Sequence, residues 1–177
     1  MADWTAKPFA VTCGDPAGIG PEIIGKSWKL RRSSRLQPFF IVGNIEDFRN
    51  IGDLPVQQID EPNQALDIFE KALPVFNIHT SDAAIPGEPS LDGAQCALHA
   101  LEIACGLTRS GDAGAIVTAP VSKSQLYKVG FRYPGQTEFV SERCGIAREN
   151  AVMMLAGPSL RVVPMTTRIA LKAVPNR

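Results

Sequence analysis

The stretch Phe9-Ala10-Val11-Thr12-Cys13-Gly14-Asp15-Pro16-Ala17-Gly18-Ile19-Gly20-Pro21-Glu22 decides the fold. Its first five residues form a short apolar, β-rich run that stops at Gly-Asp-Pro, the pattern of a buried strand. Pro21 suits the first turn of a helix, where its missing N–H has no partner to lose, and Glu22 favours the positive end of the helix dipole. A strand, a glycine-rich turn and a helix in direct succession open an α/β unit. The turn falls at the carboxyl end of its strand, the edge at which open α/β sheets bind ligands. Asp15 is thereby a candidate ligand-binding residue. A turn shaped only by packing explains the glycines equally well.

Working outward, the helix after Pro21 is expected to run to about Leu30, and Pro38-Phe39-Phe40-Ile41-Val42-Gly43 reads as a second buried strand with a short helix from about Ile45. Val56–Ile59 is a possible third strand, followed by a turn at Glu61-Pro62-Asn63. Ile85-Pro-Gly-Glu-Pro-Ser90 is loop by composition. Ser90 then caps the clearest helix, in which Ala94, Ala97, Leu98, Leu101, Ala104 and Cys105 form one apolar stripe. Gly114–Pro120 reads as another strand that breaks into a helix start at Val121–Leu126. Ala151–Ala156 and Leu160–Met165, separated only by Gly-Pro-Ser, imply an antiparallel hairpin. Strands alternating with helices, then a late hairpin, give an α/β architecture with a mixed sheet.

Composition narrows the function classes. The chain has 177 residues, 18 Lys plus Arg against 18 Asp plus Glu, and 45% hydrophobic residues. A balanced charge provides no global field for nucleic acid or anionic lipid. The basic cluster Lys29, Arg31, Arg32 and Arg35 reads as a solvated face. No apolar run approaches the ~18 residues a bilayer requires, and the N-terminal residues show no signal-peptide pattern. Cys13, Cys96, Cys105 and Cys144 lie far apart and read as buried reduced thiols. Together these point to the cytoplasm. His99 lies off the apolar stripe and His79 has no second ligand nearby, so neither is expected to be catalytic.

Gly20-Pro-Glu-Ile-Ile-Gly25-Lys26-Ser27 matches the phosphate-loop pattern GxxxxGK[ST] letter for letter. Seven residues separate Cys13 from Gly20 rather than the tight strand-to-loop join such a site needs, and Pro-Glu-Ile-Ile reads as a helix's first turn. No apolar strand ends in an Asp that would position magnesium. The pattern is a decoy. Thr118-Ala-Pro-Val-Ser122-Lys123 is more informative: it lies just past a buried strand, and a lysine at a helix start is unfavourable unless it faces an anion. Thr118, Ser122 and Lys123 are candidates for a phosphate or carboxylate, with simple solvent exposure of the lysine as the plainer alternative. Gly135-Gln136-Thr137-Glu138 is a third turn, where Thr137 is expected to cap a helix from Glu138 to about Cys144 whose first N–H groups favour an anion.

With these residues in view, the chain resembles the 4-hydroxythreonine-4-phosphate dehydrogenase family. GDPAGIGPE, PGEPSLDG, TAPVSK, the G-[HQ]-TEF turn and VMMLAGPSLRVVPMTT occur in the family's order and spacing, from about Phe9 to about Val174. The resemblance implies a three-layer α/β/α fold similar to the isocitrate and isopropylmalate dehydrogenases, here about half of it. Residues 1–118 would be the N-terminal part of a first α/β domain and residues 119–177 the start of a second. It also implies a homodimer, and oxidation by NAD or NADP of a phosphorylated hydroxy-amino acid that then loses carbon dioxide. A divalent metal (Zn, Mg or Co) held by three histidines would bind the reacting oxygen.

Carried over by position, the family's substrate-binding His-Thr pair falls on Gln136 and Thr137; Lys123 and Asp15 join them as substrate-binding candidates on the reading of the strand-end turns alone. Gln136 can still donate and accept hydrogen bonds. The family's first metal histidine falls on Arg168, and arginine repels a cation instead of ligating it. The remaining metal histidines and the residues that would complete the phosphate and cofactor sites belong to a second half that this sequence does not contain. Three states fit such a chain: a fragment of a longer enzyme, a degenerate copy, or a binding protein for phosphorylated small molecules.

Overall fold

A computed structural model describes residues 7–78, 82–147, 150–166 and 172. The chain divides into two compact units, residues 1–133 and 134–177.

The first unit is built on five parallel strands: β1 (Phe9–Thr12), β2 (Phe39–Gly43), β3 (Val56–Ile59), β4 (Leu73–Asn77) and β5 (Ile116–Thr118), in the order β3-β4-β2-β1-β5. β2 is buried along its whole length, as its continuous apolar run requires in a parallel sheet covered on both faces. Helix α1 (Gly20–Lys29) connects β1 to β2 in one direction along the sheet, and α4 (Leu91–Ser110) connects β4 to β5 in the other. Right-handed crossovers therefore put α1 and α4 on opposite faces, which makes three layers. Short helices α2 (Glu46–Arg49), α3 (Ala65–Ile68) and α5 (Lys123–Lys128) complete the unit.

Local chemistry explains the main elements. Ser90 is extended at the N-cap of α4, and its hydroxyl accepts from Gly93 N–H at 3.0 Å, satisfying one of the helix's free donors. At the other end Gly111 takes the left-handed conformation that stops the helix. The face carrying Ala94, Ala97, Leu101, Ala104 and Cys105 is buried as expected, together with Cys96 and Ala100, while Leu98 is only half-buried. Trp28 anchors α1 by donating from Nε1 to the Phe69 carbonyl at 2.8 Å.

Five expectations are corrected. The main sheet is wholly parallel rather than mixed, because the hairpin strands β6 (Leu155–Ala156) and β7 (Arg161–Val162) form a separate antiparallel pair in the second unit. β4 is a strand that the sequence reading passed over, and it lies second from the edge of the sheet. β5 is three residues long, shorter than the apolar run around it. In the second unit, α6 (Gln136–Arg143) begins before Thr137, with Gly135 at its N-cap in an extended conformation that leaves the threonine inside the first turn. Cys144 is exposed, unlike the buried Cys13, Cys96 and Cys105, because it falls at the C-cap of α6. The basic cluster is largely exposed, but Arg31 stacks on Trp28 with its guanidinium carbon 3.6 Å from the ring centroid.

Candidate functional site

The turn after β1 is held by an exact backbone path. Gly14 has φ of +72°, and a Cβ placed there would stand 2.4 Å from the Pro120 carbonyl oxygen. Only glycine tolerates both conditions. Asp15 N–H donates to that same Pro120 oxygen at 2.9 Å, so the Gly14–Gly20 turn and the Thr118–Lys123 turn are bonded together at the carboxyl edge of the sheet. The Asp15 carboxylate turns back on its own loop, where Oδ1 accepts from Ala17 N–H at 3.1 Å. Asp15 thus shapes the turn.

Lys123 is the first residue of α5, half-buried, and its ammonium meets no hydrogen-bond or ion-pair partner among the described residues. Ser122 precedes it at the N-cap, with its hydroxyl 3.1 Å from that of Ser124. The structure therefore brings Asp15, Thr118, Ser122 and Lys123 into one region. Gln136 and Thr137 open α6 in the second unit, Gln136 half-buried and Thr137 exposed. Arg168 lies outside the described residues, as does His79. His99 is exposed on α4.

Beside the Gly14–Gly20 turn is a crevice of about 350 Å³ that sequence reasoning missed, lined among others by Pro16, Asn44, Asp47, Asp82, Ser90 and Cys96. It too stands at the carboxyl ends of β1, β2 and β4. Its walls are tied by specific bonds: Ala84 N–H donates to Asp47 Oδ1 at 2.8 Å, Ile45 N–H to Asn77 Oδ1 at 3.0 Å, and Gly87 N–H to the Ala17 carbonyl at 2.8 Å. Pro16 packs so closely on α4 that a Cβ at Gly93 would stand 2.9 Å from its Cγ. Asn44, directly after the apolar run of β2, was the available signal, since polar residues at strand ends in such sheets face the ligand crevice. Cys13 and Cys96 meet behind this wall with their sulfur atoms 4.0 Å apart. The bond to Cys96, reinforced by burial, raises the Cys13 thiol well above its ordinary pKa and keeps it protonated.

Two further observations bear on chemistry. α1 begins at Gly20, and Lys26 pairs with Glu22 at 2.6 Å on its exposed surface, so the GxxxxGK[ST] match is a helix and not a loop around phosphate. Among the described residues no three His, Cys, Asp or Glu side chains converge as a metal centre would need. The described residues by themselves supply no ligand set for the divalent metal that the resemblance implies.

A parallel, helix-covered sheet with glycine-shaped turns and a tied crevice at its carboxyl edge defines an α/β protein of the open parallel-sheet class. The sequence model described as "Pyridoxal phosphate biosynthetic protein PdxA" matches residues 34–177, and the chain belongs to that family. It is 52% identical over 168 residues to the 4-hydroxythreonine-4-phosphate dehydrogenase of Zymomonas mobilis, a match covering 95% of this chain and 50% of the relative. Crystal structures of 4-hydroxythreonine-4-phosphate dehydrogenases superpose well. That from Burkholderia phymatum gives a TM-score of 0.84 at 26% identity, covering 96% of this chain and 52% of the other. That from Klebsiella pneumoniae gives 0.80 at 31% identity, covering 96% and 54%. The chain spans about half the length of the relatives it matches.

Proposed function

We propose that this chain supplies the substrate-anchoring half of an NAD(P)-dependent 4-hydroxythreonine-4-phosphate dehydrogenase acting in pyridoxal phosphate biosynthesis. The observation that carries the reading is the bonded pair of turns at the carboxyl edge, with the Lys123 ammonium, unpaired among the described residues, at its rim. Lys123, with Thr118 and Ser122, attracts the substrate phosphate. Asp15 holds the turn in shape, and Gln136 and Thr137 at the start of α6 offer hydrogen bonds to the substrate. A bound nicotinamide cofactor would accept the hydride. A second α/β domain following the first unit, and a cytoplasmic homodimer, accompany the same reading.

The 177 residues by themselves do not complete the reaction, because the relatives are about twice as long and Arg168 occupies the position at which the family places a metal histidine. The chain with NAD, magnesium or zinc and phosphohydroxythreonine is expected to form no NADH. Supplying the relatives' second half together with Arg168→His is expected to restore turnover, and continued inactivity of that combination would count against the enzymatic reading. Arg168 itself favours a second reading, a paralogue that binds phosphorylated small molecules without oxidising them. Calorimetry with phosphate esters tests it: binding heat that Lys123→Ala or Thr137→Ala weakens supports the site, and no heat at millimolar ligand removes it.

A further inference from the structure

Two of the four cysteines face each other at a place the proposed chemistry does not use. Cys13 follows β1 directly before Gly14, and Cys96 stands in the second turn of α4, 83 residues further along. Their sulfur atoms are 4.0 Å apart. The residues are 0% and 1% exposed, so each sulfur has the other, not bulk water, as its neighbour. Cys13 has little freedom to turn away. It fills the slot left open by Gly43, where a Cβ would stand 2.6 Å from the Cys13 Cβ and 3.1 Å from its sulfur. Cys96 also lines the crevice, so one member of the pair borders space that a small solute can enter.

Buried thiols that serve only as small apolar groups need no facing thiol. This pair joins two elements on which the crevice depends. Pro16, in the turn that Cys13 opens, already packs against Gly93 of α4, and the cysteines lie just behind that contact without a covalent tie. We propose that Cys13 and Cys96 form a reversible dithiol–disulfide switch, oxidised by a peroxide entering from the crevice, whose closure fastens the Gly14–Gly20 turn to α4. The inference is independent of the dehydrogenase reading.

The Cys96 sulfur attacks the peroxide first. The O–O bond breaks, the sulfur becomes a sulfenic acid, and the departing hydroxide takes up the thiol proton as water. The Cys13 sulfur then attacks the Cys96 sulfur, the S–O bond breaks, and the Cys13 proton leaves with that hydroxide as a second water. Two thiols and one hydrogen peroxide give one disulfide and two waters, the sulfurs losing the two electrons that the peroxide gains. The sulfurs close from 4.0 Å to about 2 Å in the second step. The bond to Cys96 and burial, which hold Cys13 protonated, make that step slow. A reducing thiol restores both cysteines by exchange.

The test uses the 177-residue chain carrying Cys144→Ser, which removes the exposed thiol and with it cross-linking between molecules. Folded protein is incubated with excess hydrogen peroxide, the remaining thiols are alkylated in denaturant, and the protein is digested without reduction. Mass spectrometry is expected to find one peptide pair joined through Cys13 and Cys96, two hydrogens lighter than its parts and lost on treatment with dithiothreitol. The oxidised protein should melt about 5 °C or more above the reduced one. Amide exchange at Asp15, Ala17 and Gly18 should slow by about tenfold. Cys13→Ala and Cys96→Ala should each abolish the cross-link and both peroxide-dependent shifts. The cross-link itself is read in the Cys144→Ser protein, so a folding defect in either alanine variant leaves the test standing. Cys96 driven to sulfinic acid while Cys13 is still alkylated, or a cross-link that forms only in urea, would overturn the switch. A cross-link formed in the folded protein that changes neither Tm nor exchange in the turn would overturn its fastening role.

Discussion

Gly14 shows how one residue joins two parts of the site. Its left-handed φ and the 2.4 Å approach to the Pro120 oxygen are satisfied together only without a side chain. Gly14→Ala is therefore expected to cost about 2–4 kcal/mol, combining left-handed strain with overpacking against backbone. Denaturant unfolding measures it, and a loss below about 0.5 kcal/mol, the usual scatter of surface changes, would mean that the two turns are not locked as described. Cys13 makes a different prediction. Its folded-state pKa is raised, so between the ordinary thiol value and the folded value the unfolded chain has released a proton that the native chain keeps. Stability contributed by the protonated thiol is complete below the unfolded pKa and declines as pH rises above it. The expected slope is up to about 1.4 kcal/mol per pH unit above about pH 9, and Cys13→Ala should flatten it. A pH-independent midpoint through that range would exclude it. Lys26→Ala, in an exposed pair within a helix, should change neither stability appreciably nor ATP affinity, because no phosphate loop exists there.

At the scale of elements, α4 and β4 mark the limits of reading a sequence. α4 was legible because its cap, its apolar stripe and its glycine stop agree. Ser90→Ala should destabilise by about 1 kcal/mol through loss of the bond to Gly93 N–H, measured by urea unfolding. β4 was not legible because Pro74 demotes a run of Leu73-Pro-Val-Phe-Asn77 as an interior strand. The tertiary pairing removes the objection. β2 joins β4 only from Ile41↔Val75 onward, so Pro74 has no ladder bond to donate on that side. The α6 start was misplaced for a similar reason. Residue-type preference favoured Thr137 as the cap, whereas the extended backbone at Gly135 decides where the helix begins.

At the scale of the molecule, all five strands of the main sheet lie in the first unit, and among the described residues Phe139 is the only buried hydrophobic residue of the second. A chain ending at Tyr133 is accordingly expected to keep a cooperative thermal transition by circular dichroism. Loss of cooperativity would show that residues beyond 133 are needed to hold the sheet. The described hairpin residues Val152, Met154, Leu155, Leu160 and Met165 are exposed, in contrast to the closed core of the first unit.

The sequence by itself determined the α/β class, the strand–turn–helix opening, the capped helix α4 and the family, because each is written in local pattern or in ordered motifs. Tertiary structure alone decided that the sheet is wholly parallel, that the first two turns share a hydrogen bond, that Asn44 and Asp47 wall a crevice, and that β5 pairs with β1. Those facts depend on which strands become neighbours, and pairing between segments as distant as Val11 and Val117 leaves no trace in the local order of residues.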